Sequence, residues 1–281
     1  MTKSGFGTSC HAHIGFLIEA AGLVLSNCWN LQLNSKNSSN SYFAFESRRT
    51  GYKSCPVNSI LFSRELERST RIFNSILNSE RHSLKSQEIT SAVYTVMIAC
   101  CAAIEVTTNS SRKRREIFEW LCAALVQAVL KVETEKAYWL LNIGVKGMLP
   151  TDFIFDLGSD KPRLHFPVKI SSRDKSTQIL TYLRTLDGVY GVNKFLTMPI
   201  ILDETKLDTM KNEVIESCPR RQWQLYQLHG VSLWNVYYLD APALYLNLNS
   251  VSSPVKVLTI GDLLQEGGQI DQLLQGHGLE R

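Results

Sequence analysis

The 281-residue sequence predicts an α/β fold in which helices flank a central mixed β-sheet. Three observations support this prediction. Helical periodicity dominates the first half of the chain, a period-two pattern starts after Pro150, and strand-rich segments alternate with helices from there to the end. With 44% hydrophobic residues, the chain has enough apolar side chains for one large core or two modest ones.

The first half of the chain is predicted to be mainly helical. Residues 13–32, 60–80 and 86–106 each favour a helix, and the polar segment NLQLNSKNSSNSY, which starts at Asn30, favours a loop. A further helix is predicted after the basic run SRKRRE, because Ile117, Leu121 and Leu125 recur at helical spacing.

The sequence contains no internal repeat and no clear linker. We therefore expect one compact domain, with a helical N-terminal subregion over residues 1–85 and the main α/β core over residues 86–281.

A β-hairpin is predicted directly after Pro150. Phe153, Phe155 and Leu157 are apolar at every second position, which is the period of a strand. The segment GSDKP then supplies turn residues, and RLHFPVKIS is predicted to form the second strand. A turn centred on residues 159 and 160 would place Asp152 opposite Pro167, with Lys169 as its diagonal neighbour on the same face. Asp156 shares that face but lies roughly 13 Å further along the strand.

A helix is expected to follow the hairpin. Four apolar residues in STQILTYLRTL have helical spacing, and Ser171 with Asp174 forms an [ST]xx[DE] capping box before them. The segments FLTMPIILDE and VSLWNVYYLDAPALYLNL favour strands, and a helical tail is expected from about residue 260.

Charge and cysteine content permit several function classes. The net charge of +4 is only mildly basic, so it is compatible with a polyanionic partner without requiring one. The seven cysteines are scattered and lie mostly in apolar runs, which favours buried reduced thiols. We find no signal peptide, and we expect a soluble cytoplasmic protein without a membrane partner.

Asp152 and Lys169 form the candidate catalytic pair. A carboxylate holds a hard cation such as Mg²⁺, and a lysine beside it can orient or activate a water that attacks a phosphodiester. An exposed strand ion pair without catalytic function is the alternative interpretation.

The residues around this pair resemble the PD(D/E)XK type II restriction endonucleases, especially the subgroup that cuts CCGG-like, CCWGG-like and CCNGG-like sites. That subgroup carries a Pro-Asp strand, a strand with the catalytic lysine, and a pattern close to Kxxx[RK][DE]RxxQ at a helix start. The matching residues in this sequence are Pro150, Asp152, Lys169, Arg173, Asp174, Lys175 and Gln178. The resemblance covers about thirty residues and implies a restriction-endonuclease-like core.

The resemblance also implies roles for these residues. Arg173, Asp174 and Lys175 would bind DNA, because an arginine pairs with guanine O6 and N7 while a carboxylate accepts from cytosine N4. Lys175 stands where the family usually has arginine, so it keeps the charge and loses the bidentate geometry. The alternative is that Asp174 only caps the helix, with Arg173 and Lys175 solvated.

The second metal-binding acid departs from the family pattern. Pro167 occupies the position two before Lys169, and Tyr182 occupies the later position where the subgroup often has its acid. Of the remaining carboxylates, Glu119 in IFEWL is the preferred ligand beside Asp152, with a surface helix carboxylate as the alternative interpretation. The other candidates are Glu116, Asp156 and Asp187.

The sequence therefore predicts a Mg²⁺-dependent type II restriction endonuclease that hydrolyses double-stranded DNA at a short palindromic site containing G·C pairs. The resemblance implies a homodimer, since a palindrome matches a two-fold symmetric protein. A nuclease-fold DNA-binding protein without catalytic activity is the main alternative, and a structural α/β protein is a second.

Overall fold

The structure is a computed structural model that describes residues 6–35, 40–140, 147–158, 161–173, 175–216, 233–247 and 256–275. Its helices are α1 (Phe6–Ser26), α2 (Leu66–Leu77), α3 (Ser86–Thr108), α4 (Arg114–Leu130), α5 (Ser176–Tyr190), α6 (Ala243–Leu246), α7 (Ile260–Leu264) and α8 (Gln269–Leu274). Its strands are β1 (Cys28–Ser35), β2 (Tyr42–Ser47), β3 (Val57–Asn58), β4 (Glu135–Leu140), β5 (Gly147–Phe155), β6 (Arg163–His165), β7 (Val168–Lys169), β8 (Phe195–Thr197), β9 (Ile200–Ile201), β10 (Thr205–Asp208), β11 (Glu213–Glu216), β12 (Asn235–Tyr238) and β13 (Lys256–Thr259).

The chain folds into two compact units. The first contains Met1–Val129, Thr205–Glu216 and Leu264–Arg281, and the second contains Leu130–Glu204 and Ser217–Leu263. These boundaries follow the packing of the chain, and the expected division into residues 1–85 and 86–281 stays a prediction.

The first unit surrounds the apolar helix α3. Most of α3 is buried. Near its C-terminus lies the buried Glu105, which forms an ion pair with Arg114 and accepts a hydrogen bond of 2.7 Å from the backbone N–H of Cys55. By length and composition α3 is able to cross a membrane. However, 89% of its most apolar 18-residue stretch is buried inside the protein, as in the core helix of a globular unit. The neutral thiols of Cys100 and Cys101 lie in this core, as the apolar sequence context predicted.

The predicted helix over residues 13–32 is wrong at its C-terminal end. Helix α1 stops at Ser26, and Cys28–Ser35 forms β1, which pairs antiparallel with β2 and parallel with β11. The reason lies in the alternation of Leu31 and Leu33 with polar residues, since both leucines pack on one face against Tyr42 of β2. The five-stranded sheet of this unit has the order β10-β11-β1-β2-β3.

The second unit contains a curled mixed sheet. Its two four-stranded parts, β4-β5-β6-β8 and β13-β12-β9-β7, are joined because the chain runs from β6 into β7 and from β8 into β9. Pro167 and Pro199 interrupt these two paths, since proline has no N–H to donate to a ladder. Backbone pairing continues across the bend, with Met198 N–H donating to His165 O and Ile200 N–H to Pro167 O, both at 2.8 Å.

Helix α5 covers one face of this sheet as its apolar spacing predicts. Ile179, Leu180 and Leu183 are buried against β9 and β12, and Leu186 packs against β5 and β8. The predicted strands in FLTMPIILDE are present as β8 and β9, and the expected helical tail is present as α7 and α8. The strand prediction for VSLWNVYYLDAPALYLNL is confirmed at β12 and wrong at Ala243–Leu246, which form α6 directly after Pro242, a residue without an N–H to donate to a ladder.

Candidate active site

The β5 and β6 strands pair in the register that the predicted hairpin requires. Ile154 lies opposite His165 and Phe155 lies opposite Leu164, so the same register carried two residues further opposes Asp152 to Pro167. Lys169 follows on β7, directly after the bend at Pro167. The structure therefore brings the predicted Asp152 and Lys169 to the same place.

The Asp152 and Lys169 side chains form a largely buried ion pair. The ammonium of Lys169 donates a hydrogen bond to Asp152 Oδ2, and the backbone N–H of Val168 donates to the same oxygen at 2.9 Å. The side chains are 3% and 12% exposed for Lys169 and Asp152, respectively. An exposed strand ion pair does not describe this arrangement, because a surface pair would keep both groups in water.

His165 is a buried neutral neighbour of this pair. Its Nδ1 lies 3.1 Å from Thr197 Oγ1, and its Nε2 has no hydrogen-bond partner among the described residues. Burial and, to a smaller extent, the positive charge of Lys169 lower the pKa of His165 to about 3. The imidazole is therefore uncharged at neutral pH.

Three parallel strands end beside the ion pair of Asp152 and Lys169. Strand β9 is parallel to both β7 and β12, so the residues that follow these strands gather at one edge of the sheet. Glu204 follows β9 and is 1% exposed, and the buried Asp240 follows β12. This edge of the sheet is where ligands bind in many open α/β folds.

Glu204 accepts hydrogen bonds from two different segments. Ser171 Oγ donates to Glu204 Oε2 at 2.7 Å, while the Ser172 N–H and Tyr238 Oη donate to Glu204 Oε1, each at 2.9 Å. Burial raises the pKa of Glu204, and these hydrogen bonds oppose the increase. The carboxylate thereby ties the segment after β7 to the end of β12.

The predicted capping box at the start of α5 is wrong in its role for Ser171. Helix α5 begins at Ser176 after the N-cap Lys175, so the Ser171 hydroxyl lies too far before the helix to accept from the N–H groups of its first turn. This hydroxyl donates to Glu204 and accepts from the Arg173 backbone N–H instead. Asp174, the other half of the predicted box and a predicted DNA-binding residue, lies outside the described residues.

Arg173 and Lys175 lie in the turn that leads into α5. Arg173 is half-buried, and its Nε donates to Ser171 Oγ at 3.1 Å, while the Lys175 side chain is exposed. Gln178, in the first turn of α5, donates to Tyr182 Oη at 2.6 Å. Tyr182, which stands where the subgroup often has an acid, thus accepts a hydrogen bond from a side chain of the same helix.

The candidates for a second acid are paired or lie on other elements. Glu119 is on α4 in the first unit and forms an ion pair with Arg115 one helical turn away. Asp156 pairs with Arg163 at 2.9 Å, and the hydrogen bond from the Gly158 N–H, more than the bond from Arg163, lowers its pKa. Burial raises the pKa of Asp187 on α5. Glu119 as a metal ligand stays a prediction.

The described residues offer a limited set of metal ligands. No group of three or more His, Cys, Asp or Glu side chains able to hold a metal occurs within the described ranges. Asp152 supplies one hard carboxylate, which suits Mg²⁺ because this ion keeps several waters and often takes one or two protein carboxylates beside phosphate oxygens. The residues present therefore fit a magnesium ion that takes its remaining ligands from water or from a phosphate group.

The architecture is similar to that of two solved nucleases. The crystal structure of the type IIP restriction endonuclease Kpn2I matches with a TM-score of 0.73 at 21% sequence identity, over 89% of this chain and 87% of that chain. The chain has the restriction-endonuclease fold. A complex of the restriction endonuclease PspGI with substrate DNA also matches, with a TM-score of 0.46 and 14% identity over 75% of this chain and 92% of that chain. Neither a family model nor a curated protein matches the sequence.

The sequence prediction missed one residue at this edge of the sheet, Glu204. Glu204 lies in an acid pair, Asp203-Glu204, directly after the apolar strand residues of PIIL. An acid at the carboxyl end of a buried strand is a signal for a site residue, because parallel strands deliver such positions to one edge. The partners Ser171 and Tyr238 are distant in sequence and were not predictable as neighbours.

Proposed function

We propose that the protein is a Mg²⁺-dependent type II restriction endonuclease that hydrolyses double-stranded DNA at a short palindromic site containing G·C pairs. The proposal includes membership of the PD(D/E)XK enzymes and similarity to the subgroup that cuts CCGG, CCWGG and CCNGG sites. The observation that supports it most directly is the buried ion pair of Asp152 and Lys169 at a bend in the sheet. The strand with Pro150-Thr151-Asp152, which has one residue more than the Pro-Asp of the family, and the Arg173 turn after Lys169 agree with the same assignment.

The catalytic roles follow from the chemistry of the pair. Asp152 would hold the metal, and Mg²⁺ when bound would supply positive charge to the scissile phosphate. Lys169 would orient the water that attacks in line and stabilise the negative charge that develops on it, since its buried stem fixes the ammonium beside the carboxylate. Hydrolysis would leave a 5′-phosphate. Glu119 is proposed as the second metal ligand.

The recognition roles are proposed for the turn before α5. Arg173 would pair with guanine O6 and N7, Asp174 would accept from cytosine N4, and Lys175 would add a further contact to a G·C pair. A palindromic site would be bound by a homodimer, with each protomer reading one half-site.

A DNA-binding protein without nuclease activity is the second candidate. The observation that favours it is the lack of an acid at both family positions, which carry Pro167 and Tyr182. Tyr182 accepts a hydrogen bond from Gln178, so this residue supports the recognition helix rather than a metal. Such a protein would bind selected DNA sites without cutting them.

Incubation of the purified protein with phage DNA in Mg²⁺ or EDTA tests both candidates. Discrete fragments that require Mg²⁺ support the enzyme, and a sequence-selective gel shift without cutting supports the binding protein. Smeared degradation, or no interaction with DNA, would contradict both. Mapping the fragment ends then gives the site and the position of the cut.

Lys169→Ala tests the assigned catalytic pair. We expect at least a 100-fold loss of the cleavage rate, because a group that stabilises developing charge contributes about 10²-fold or more. Lys206→Ala is a matched control, since Lys206 is an exposed lysine on β10 in the first unit. Cleavage by the Lys169 variant at the unmodified rate would show that the active site is elsewhere.

A further inference from the structure

Glu204 is a buried charge near the candidate catalytic pair that the proposed hydrolysis does not use. It lies at the carboxyl end of β9, in the second unit, and is 1% exposed. A carboxylate so far from water is retained only where hydrogen-bond donors replace its hydration. Its donors therefore indicate what the residue does.

The Glu204 carboxylate divides its two oxygens between two segments. Oε1 accepts from the Ser172 N–H and from Tyr238 Oη, so this oxygen is held by the backbone after β7 and by β12. Oε2 accepts from Ser171 Oγ at 2.7 Å. Each oxygen thus has at least one donor that points toward it.

The Ser171 hydroxyl has a defined polarity. A hydroxyl carries one hydrogen and two lone pairs, and Ser171 Oγ accepts from Arg173 Nε at 3.1 Å and from the Arg173 backbone N–H at 3.3 Å. Both lone pairs are used, so the hydroxyl hydrogen is directed to Glu204 Oε2. The result is a continuous chain of bonds from Glu204 through Ser171 to the guanidinium of Arg173.

Only a side chain with two acceptor oxygens satisfies this arrangement. In a Glu204→Gln variant the amide NH₂ would face either Ser171 or the Ser172 N–H, depending on the orientation of the amide. The first orientation opposes the NH₂ to a hydroxyl whose lone pairs are already occupied, and the second opposes it to a backbone donor. Glutamine has the shape of glutamate, yet in either orientation it loses the hydrogen bond from Ser171 Oγ or the one from the Ser172 N–H.

We propose that Glu204 is a positioning residue for DNA recognition: through the Ser171 hydroxyl it holds the Arg173 guanidinium in the orientation from which that side chain reads one base pair. This inference rests on the proposed function, in which Arg173 contacts a G·C pair. A free arginine side chain loses rotamer entropy when it binds, and a guanidinium ordered in advance loses less. Loss of Glu204 therefore weakens discrimination at the base pair that Arg173 reads.

The first experiment measures the link itself, without DNA. In ¹⁵N-arginine-labelled protein, Arg173→Lys identifies the Nε–H resonance of Arg173, and the exchange of that proton with water is then measured. We expect exchange in Glu204→Gln and in Ser171→Ala to be at least about tenfold faster than in the unmodified protein, because the bond to Ser171 protects the proton. Ser75→Ala is a matched control, since Ser75 is a partly exposed serine on α2 whose hydroxyl donates to Arg71 O, far from Arg173 in the sequence.

The second experiment measures discrimination. Cleavage kcat/KM, or the Kd when no cutting occurs, is compared for the preferred duplex and for duplexes with one G·C pair replaced at each position. We expect Arg173→Ala, Glu204→Gln and Ser171→Ala to lose about tenfold or more of the discrimination at the same base pair and to retain it elsewhere. Combining Glu204→Gln with Arg173→Ala should add little to the effect of Arg173→Ala, since both changes act through one side chain.

The outcomes separate this inference from the function on which it rests. If the unmodified protein selects a DNA site while Glu204→Gln and Ser171→Ala keep full discrimination, the inference is overturned and the proposed function stands. If the unmodified protein selects no DNA site, the proposed function fails and this inference fails with it. Should Glu204→Gln not fold, Ser171→Ala decides the matter, because it leaves the bonds of Ser172 and Tyr238 to Glu204 intact.

Discussion

The buried imidazole of His165 makes the stability of the protein sensitive to acid. In the unfolded chain this histidine binds a proton near its usual pKa of 6.5, whereas in the folded protein burial lowers its pKa to about 3. Between these two values the unfolded state binds the proton and the folded state does not. Stability therefore falls as the pH is lowered from 6.5 toward 3.

The size of the effect follows from the same two values. At pH 5 the unfolded histidine is about 1.5 pH units below its usual pKa, and each unit corresponds to about 1.4 kcal/mol. We therefore expect His165 to remove about 2 kcal/mol of the free energy of unfolding between pH 7 and pH 5. This is a large part of the 5–15 kcal/mol that is typical of whole proteins, as an order of magnitude.

Urea unfolding of the unmodified protein and of a His165→Asn variant measures this difference. Asparagine keeps a polar group near Thr197 Oγ1, the partner of His165 Nδ1, and it does not titrate. The free energy of unfolding is determined at pH 7 and pH 5 in EDTA, followed by intrinsic fluorescence. His13→Asn is the control, because His13 is exposed on α1.

We expect the unmodified protein and the His13 control to lose about 2 kcal/mol more than the His165 variant over this pH interval. An equal loss in all three proteins would refute the assignment of a buried neutral imidazole. The proton resonances of the His165 ring provide a second test, since they should not shift between pH 7 and pH 5 while the protein stays folded.

Three further predictions concern the two cores. Leu183→Ala should lower the free energy of unfolding, measured in urea, by about 2–5 kcal/mol, because Leu183 lies on the buried face of α5. Leu246→Ala, at an exposed position, should change it by less than about 1 kcal/mol. Equal effects of the two substitutions would contradict the packing of α5. Glu105→Ala should lower the free energy of unfolding by about 3 kcal/mol, since it removes the buried ion pair with Arg114 and the hydrogen bond from the Cys55 N–H. A melting temperature equal to that of the unmodified protein would contradict this. Burial raises the pKa of Cys100 to about 12, so this thiol should not react with iodoacetamide at pH 8 until urea unfolds the protein. Mass spectrometry detects the modification, and modification of Cys100 in the native protein would contradict its burial.

Local patterns were sufficient for many parts of the fold. The hairpin register was predictable because the side chains alternate on each strand and the turn residues lie midway between them, which opposes Asp152 to Pro167. Helix α5 was predictable because its apolar residues recur with the period of one helix face. The strand β1 was missed because an eight-residue segment with few apolar residues gives a weak signal, and its partner β11 lies far along the chain.

The candidate site was predictable only in part. Asp152 and Lys169 are close in sequence and lie on paired segments, so short-range geometry brought them together. Glu204 was not predictable, because its contacts with Ser171 and Tyr238 depend on the order of β7, β9 and β12 in the sheet. The pairing partner of a parallel strand is chosen by the whole core rather than by neighbouring residues.

The sequence by itself thus determined the hairpin, the carboxylate and lysine that meet on it, and the apolar face of the helix that follows. Each of these depends on residues within about one or two turns or strands of one another, where backbone geometry leaves few alternatives. Only the tertiary structure decided that Pro167 and Pro199 bend one continuous curled sheet, and that Glu204 meets Ser171 at its edge. Those contacts join distant segments, and burial of the common core selects them among the many pairings that local patterns allow.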